Sequence, residues 1–471
     1  MPVRTSGVTR SDPSRETARA VVSAIDRGEV IVAMTFLLAD AEIEDALLRA
    51  AKRGARVYLM LATEARLDKE PREDSEFDQE ALAHHKAMLK RLAGWVLLRS
   101  AGAYHAKIVL VDPAKGGPGF LLTSNLTKEA LTQSEELAVE LTPAEREAVF
   151  RHLAWAMWEG AERELLAEQE PQQGGRLLPV VGPLGRFARP GESGTVVCTP
   201  MQAGTLRAAL LARIRAARSS ITVASFGWGL DHEAMKALEE RARSGVRVTA
   251  LARVRASVTP ALVGLARSGA RVLGFPRLHA KALLVDGRDA MVMTANLETR
   301  GLDESFEMGV ILDGARAAGV AAILGAWAEN APHELRAAPL LGEVLGEAHV
   351  LIEERLVPYR VIASDRRAPA PLVAESADRL DAEPTFSREK TGLPIPAHQI
   401  EATWDVAAPR LAPGSKEVAS KDERGPKPGD PRVFREPSGR VVVAVRTTDE
   451  IPRAQALAAE VKAAAIVVSE K

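Results

Sequence analysis

The phrase His105-Ala-Lys107-x4-Asp112 returns 174 residues later as His279-Ala-Lys281-x4-Asp286. Each copy runs into a second signature, Thr123-Ser-Asn125 or Thr294-Ala-Asn296, and then into a glutamate, Glu136 or Glu307. One such match is a weak signal, but two copies trailed by the same Thr-x-Asn and Glu specify a duplicated unit. Duplication narrows the fold more than composition does, because each half must build the same framework around its copy.

The repeat extends upstream of the motif. Residues 15–27 predict a helix, Val30 to Met34 a strand, Glu42 to Arg53 an amphipathic helix stopped by Gly54, and Arg56 to Leu61 the next strand. The second half repeats this with a helix from Leu206 to Ala217, a strand from Ile221 to Ser225, a helix from Glu233 to Arg243, Gly245, and a strand from Val246 to Leu251. Short β-branched runs alternating with helical periodicity predict an α/β fold with a largely parallel sheet. The offset is 190 from Ile31 to Ile221 and 191 from Gly54 to Gly245, but 174 from His105 to His279 and 171 from Glu136 to Glu307. The first half therefore holds about 17 extra residues, which fall in the acid-rich stretch from Arg66 to Ala87, and a longer turn after Asp112. Each motif is expected on a hairpin, Lys107 to Asp112 with Gly119 to Ser124, and Lys281 to Asp286 with Ala290 to Ala295. In an extended strand His105 and Lys107 share a face, as do His279 and Lys281.

Helices are expected from Ala144 to Glu168 and from Ala318 to Asn330. The division reads as a first domain over 1–168, a linker over 169–194, a second domain over 195–360, and a Pro, Ala and charge-rich tail over 361–471 with a small β-α-β appendage. The 471 residues carry one cysteine, Cys198, in apolar surroundings, which excludes an internal disulfide and reads as a buried structural thiol. The N-terminus lacks the apolar core of a signal peptide and no run is long enough to span a membrane, so the expected location is the cytoplasm. A net charge of −1 weighs against a dedicated polyanion binder. His84-His85 reads as a solvated helix surface.

Two His, two Lys, two Thr, two Asn and two Glu, given symmetrically, describe a site for a compact anion such as phosphate. Paired His suit acid–base and nucleophilic work, with a carboxylate fixing each ring.

These residues closely resemble the phospholipase D superfamily, whose hallmark is a duplicated HKD motif followed by a Gly-Ser-x-Asn-like segment. The resemblance covers roughly residues 15–345. In the second half, RLHAKALLVDGRDAMVMTANLETRGLDESFEMGVIL is similar to the cardiolipin-synthase and phospholipase branch. It implies two α/β/α sandwich domains about a pseudo-twofold axis, with both motifs in one monomeric chain and no cofactor or metal; the composition of the tail beyond them reads as largely disordered. It further implies that His105 attacks phosphorus to form a phosphohistidine while His279 serves as acid and base. Lys107, Lys281, Thr123, Asn125, Thr294 and Asn296 would bind phosphate, Glu136 and Glu307 would orient the His residues, and Asp112 and Asp286 would brace the hairpins. Leu122 and Met293 stand where the family usually has Gly. The expected substrate is a phospholipid phosphodiester, hydrolysed or transferred, with peripheral membrane contact. The alternatives are DNA or RNA cleavage by a nuclease of the same superfamily, and an inactive binding or scaffold protein.

Overall fold

The computed structural model describes residues 7–62, 75–167, 175–180, 185–191, 194–199 and 205–336, with shorter stretches at 344–352, 355–364, 393–396, 403–406, 416–418, 431–435, 441–445, 451–461 and 465–468. In the first half the strands are β1 (Val8–Arg10), β2 (Val30–Thr35), β3 (Leu38–Ala39), β4 (Arg56–Ala62), β5 (Leu97–Ala101), β6 (Ile108–Val111), β7 (Gly119–Leu122), β8 (Leu126–Thr127), β9 (Leu137–Glu140), β10 (Arg163–Ala167) and β11 (Gly175–Pro179). In the second they are β12 (Val196–Cys198), β13 (Ser220–Ser225), β14 (Arg247–Arg253), β15 (Arg271–Phe275), β16 (Ala282–Val285), β17 (Asp289–Met293), β18 (Met308–Leu312) and β19 (His333–Arg336).

The first sheet runs β1-β9-β7-β6-β2-β4-β5-β10-β11, and the second runs β12-β18-β17-β16-β13-β14-β15-β19 followed by the strand Thr403–Val406. The first eight positions correspond one to one, so the repeat seen in the motifs is a repeat of the whole sheet. The sheet is mixed, which corrects the largely parallel expectation. Only β2-β4-β5 and β13-β14-β15 run parallel, and the hairpins that carry the motifs are antiparallel to them. The parallel trio is the part joined by helical crossovers; β6 and β7, like β16 and β17, are joined by a short turn, and a short turn can only reverse a strand.

Strand alternation sorts the side chains into layers. Ile31, Ala33, Val109 and Val111 face the outer helices Glu16–Arg27 and Ala41–Lys52, while Val32, Met34, Ile108 and Leu110 face inward. The second sheet divides likewise, with Ile221, Val223, Leu283 and Val285 outward and Ala224, Ala282 and Leu284 inward. The inward faces of both sheets share one core with the helices Pro143–Trp155 and Gly314–Glu329, through Val149, Leu153, Val320, Leu324 and Trp327. Burying both inner faces in a single core makes the docking of the halves part of folding rather than a later association.

At the N-terminal ends of those two helices, 171 residues apart, Glu145 and Arg316 form a two-pronged ion pair between the halves (Nη1–Oε2 2.8 Å, Nη2–Oε1 2.7 Å). The Glu145 side chain is 2 % exposed. It also closes a capping box with Thr142 and accepts from Thr195.

Several expectations shift in detail. The helix after Glu136 ends at Trp155, passes through a π-helical turn over Ala156–Gly160 and gives way to β10, so the segment read as helix to Glu168 adds a strand beside β5 instead. Part of the expected linker, Gly175–Pro179, pairs with β10 as β11. The extra residues of the first half lie between β4 and β5, where a helix at Ser75–Leu92 stands in place of the shorter Thr259–Arg267; residues 63–74 of that stretch lie outside the described residues. His84 and His85 on this helix are not a solvated pair. His85 is buried, and burial pushes it down to about 4. His84 bonds the buried Glu44 at 2.8 Å. Beyond residue 431, Arg432–Arg435, Val441–Val445 and Ala465–Val468 share a sheet with Lys416–Glu417, and the helix Ile451–Glu460 joins the two parallel strands. Most of the stretch expected to be a disordered tail lies outside the described residues.

The motif aspartates sit at the hairpin turns. Asp112 and Asp286 take left-handed backbone conformations, φ 46° and φ 50°. The Asp112 carboxylate accepts from the backbone N–H of Glu29 and Val30, and Asp286 from those of Arg218, Ser219 and Ser220 and from the Ser219 hydroxyl. Each thereby pins the start of the central strand, β2 or β13. The Ser220 and Ser219 N–H groups hold Asp286 far below the usual carboxylate range. Asp286→Ala should lower stability by about 2 kcal/mol and the Tm by a few degrees, because it strands those donors and places a Cβ residue without local hydrogen bonds at positive φ. A depressed folded-state pKa contributes stability above the ordinary carboxylate value and loses it as pH falls toward the folded one. The Tm difference between wild type and Asp286→Ala, measured by circular dichroism, should therefore be full at neutral pH and shrink in acid.

Candidate active site

Both motifs approach one point on the interface. The N-terminal end of β6 meets the segment before β18: the N–H groups of His105 and Ala106 both donate to the Phe306 carbonyl, at 3.2 and 2.9 Å. The reciprocal contact joins His279 and Ala280 to the Glu135 carbonyl, at 3.1 and 2.8 Å. Each half thus anchors the other's His loop, immediately before its own glutamate.

The side chains cross in the same way. His105 Nδ1 lies 2.5 Å from Oε1 of Glu307, and His279 Nδ1 lies 2.6 Å from Oε1 of Glu136. Every His is therefore oriented by the carboxylate of the opposite half. With Nδ1 engaged in both rings, the chemistry falls to Nε2. Behind each carboxylate stands the threonine of its own half. Thr123 Oγ1 donates to Glu136 Oε2 at 2.5 Å, Thr294 Oγ1 donates to Glu307 Oε2, and the N–H groups of Leu137 and Met308 donate back to the two hydroxyls. Thr123 and Thr294 are fully buried. That is a correction to their expected place on the phosphate, since their hydroxyls brace the carboxylates that hold the imidazoles.

Lys107 and Lys281 are fully buried as well. Each ammonium donates to its own histidine's carbonyl oxygen and sits beside that ring, 3.0 and 3.2 Å from the nitrogens of His105 and 2.9 and 3.0 Å from those of His279. Burial pushes Lys281 down to about 8 against the pull of Glu136, Glu307 and Glu298. Burial and the Lys281 ammonium likewise push His279 below its ordinary value, against the pull of Glu136. Burial raises both glutamates, but the His and Lys beside each outweigh it and hold them below the usual range. The result is a dry site with ionised carboxylates behind the rings and cationic amines beside them. Dryness matters because charges interact more strongly where water cannot screen them.

Asn125 and Asn296 follow the threonines, and each has a buried amide oxygen with no hydrogen-bond partner. An amide that leaves one end unmet can turn its NH2 to an incoming oxygen. Asn296 Nδ2 also lies 3.3 Å from Glu298 Oε1. Gly301 allows this placement, since a Cβ there would stand 2.4 Å from the Asn296 carbonyl oxygen. Leu122 and Met293 point into the outer cores, so neither side chain enters the site. Asp112 and Asp286 lie at the far ends of their strands, bonded to backbone. Among the described residues no three His, Cys, Asp or Glu side chains are grouped to hold a metal ion.

Two residues at the site escaped the sequence reading. Phe36 and Phe226 meet His105 and His279 edge-on, each with ring centroids 4.9 Å apart. Their signal was available: they are 190 apart, the same offset that relates Ile31 to Ile221. Both follow a central strand, on loops tied to the Asn segments through β3 and β8 in one half and the Trp228–Leu297 bridge in the other.

A family model described as "Cardiolipin synthase, PLD-like domain" matches residues 21–158 and 210–323. No curated protein matches the chain. Similar solved structures include a polyphosphate kinase from Porphyromonas gingivalis (15 % identity, TM-score 0.46, 68 % of this chain and 49 % of that one). The chain thus spans about half the length of that kinase. They also include a phosphatidylserine synthase from Haemophilus influenzae (8 %, TM-score 0.49, 70 % and 87 %) and Nuc, a phospholipase D family member from Salmonella typhimurium (22 %, TM-score 0.25, 37 % and 98 %).

Proposed function

We propose, because the chain belongs to the phospholipase D superfamily of phosphodiester-acting enzymes, that it cleaves or transfers a phospholipid phosphodiester through a covalent phosphohistidine. The observation that carries this is the crossed pair of His–Glu contacts, which brings two imidazoles and two ammonium groups to one interface. His105 Nε2 attacks phosphorus as the bond to the leaving oxygen breaks, and His279 Nε2 gives that oxygen its proton. His279, now neutral, takes a proton from water or an acceptor alcohol, whose oxygen displaces His105 from phosphorus. Lys107, Lys281, Asn125 and Asn296 hold the nonbridging oxygens and supply positive charge to the transition state. An anionic phosphodiester bound beside His279 favours its imidazolium form, which takes its proton from solvent as the substrate binds.

The lipid assignment draws on the description of the matching family model. Among the described residues no helix is long and apolar enough to cross a membrane, so contact with lipid would be peripheral. The test is turnover in EDTA of labelled phosphatidylglycerol and phosphatidylcholine, with single-stranded DNA as a parallel substrate. Lipid turnover supports the proposal, DNA cleavage without lipid turnover replaces it with a nuclease, and inertness toward all three favours a scaffold.

The lysines predict a pH dependence. Lys281, lowered to about 8, loses its charge as pH rises past that value. Because kcat/KM reports the free enzyme, it should fall by up to about tenfold per pH unit above 8, while kcat stays level further because bound phosphate retains the ammonium. A kcat/KM that stays flat to pH 10 would contradict the role given to Lys281.

A further inference from the structure

The halves depart from their repeat at one place beside the reacting groups. Tyr104 directly precedes His105 and is fully buried in the core that the halves share. Its hydroxyl donates to the Ala156 carbonyl at 2.5 Å, and burial pushes its pKa far up, so it stays a donor. Ala156 opens the π-helical turn that follows the helix Pro143–Trp155. The next carbonyl, of Met157, accepts from Nη1 of Arg99 at 2.9 Å, and that guanidinium lies over the Trp158 ring, 4.5 Å from its centroid. The Glu159 carboxylate accepts from the N–H groups of Gly185, Arg186 and Phe187 at 2.8 to 3.0 Å. The turn is thus held from three sides. In the second half Ala156 corresponds, 171 residues on, to Trp327, where the helix Gly314–Glu329 continues as an α-helix. Tyr104 corresponds, 174 residues on, to Leu278, which has no hydroxyl. Two departures from the repeat therefore meet in a single hydrogen bond, and one of them is a rare widened turn of the kind found beside working sites.

The Tyr104 ring also meets Phe306 edge-on, with centroids 6.2 Å apart. This pair stands one residue ahead of another, since Tyr104 precedes His105 and Phe306 precedes Glu307, the carboxylate that holds His105. Phe306 takes the N–H groups of His105 and Ala106 on its carbonyl and gives its own N–H to the Ala103 carbonyl at 2.6 Å. At the other crossing the same positions hold Leu278 and Glu135, and Glu135 has a buried carboxylate oxygen without a hydrogen-bond partner. We propose that Tyr104 is a positioning residue for His105, fixing the nucleophile's imidazole through Ala156 and Phe306, while the crossing built from Leu278 and Glu135 leaves His279 more play. A nucleophile must reach one point at near-contact distance, and a misplacement of about 1 Å costs on the order of 10²-fold. A proton carrier meets the leaving oxygen first and the entering oxygen later, so play in its ring is tolerated.

This inference rests on the phosphohistidine reading, and its test keeps the two apart. Tyr104→Phe removes the hydroxyl and keeps the ring. With a p-nitrophenyl phosphodiester its burst should slow about tenfold, while breakdown of the phosphohistidine stays within about twofold of wild type because the P–N bond then holds the ring in place. Tyr104→Leu, which copies the second half, should slow the burst on the order of 10²-fold with the same split. A second measurement needs no turnover. In protein carrying isotope-labelled histidine, the imidazole nitrogen resonances of His105 should shift or broaden in Tyr104→Phe, and those of His279 should hold. Equal loss in both steps, or both imidazoles altered together, would reduce Tyr104 to a core residue. A burst and a His105 spectrum like those of wild type would overturn the inference as well. If the wild type forms no phosphohistidine, that reading fails by itself, and the nitrogen spectra still decide for or against Tyr104. If Tyr104→Phe does not fold, Arg99→Gln, which loosens the same turn from β5, takes its place with the same expected split.

Discussion

A chain carrying His279→Asn is expected to release one equivalent of p-nitrophenolate from a p-nitrophenyl phosphodiester and then stall, whereas His105→Asn releases none. p-Nitrophenolate leaves without a proton, so the first step needs only the nucleophile, His105. The second step needs a base to deprotonate water, and without His279 the phosphohistidine persists. With ordinary alcohol leaving groups both variants should lose turnover by about three orders of magnitude or more, since neither step has a substitute. The burst is read by stopped-flow absorbance and the trapped adduct by intact mass. A burst in His105→Asn and none in His279→Asn would exchange the two roles.

The second expectation turns on the crossed contacts. Glu136 lies in the first half but holds His279, and Glu307 lies in the second but holds His105. Glu136→Gln should therefore behave like a damaged His279, with a burst followed by slow turnover, although His279 is 143 residues away in sequence. Glu307→Gln should slow the burst itself. In each case the loss should be on the order of 10²- to 10⁴-fold, because an amide at that position favours the wrong imidazole tautomer and no longer stabilises its charged form. Contacts confined to one half would give the opposite assignment, so presteady-state traces of the two variants decide between the arrangements.

The sequence made legible whatever repeats along the chain. The offsets located both hairpins, the equivalence of the halves and the interval between β4 and β5 that holds the extra residues of the first. They did not disclose which glutamate serves which histidine, because a linear repeat is silent about how its copies dock. Thr123 and Thr294 were misplaced for a related reason: a hydroxyl two residues before Asn reads as a phosphate donor, and only burial behind Glu136 and Glu307 shows what it bonds. Phe36 and Phe226 were passed over because apolar rings beside strands ordinarily belong to a core. The largely parallel reading overreached because period-two runs carry no direction, and the short turn after β6 or β16 was the cue to reversal.

Glu145 and Arg316 are the same position of the repeat, facing each other across the interface. A homodimer places identical residues at such a point, and two first halves brought together would bury carboxylate against carboxylate, as two second halves would bury guanidinium against guanidinium. Opposite charges there make each half complementary to the other and repellent to itself. At this point of the interface the charges favour the pairing of first half with second over that of either half with itself.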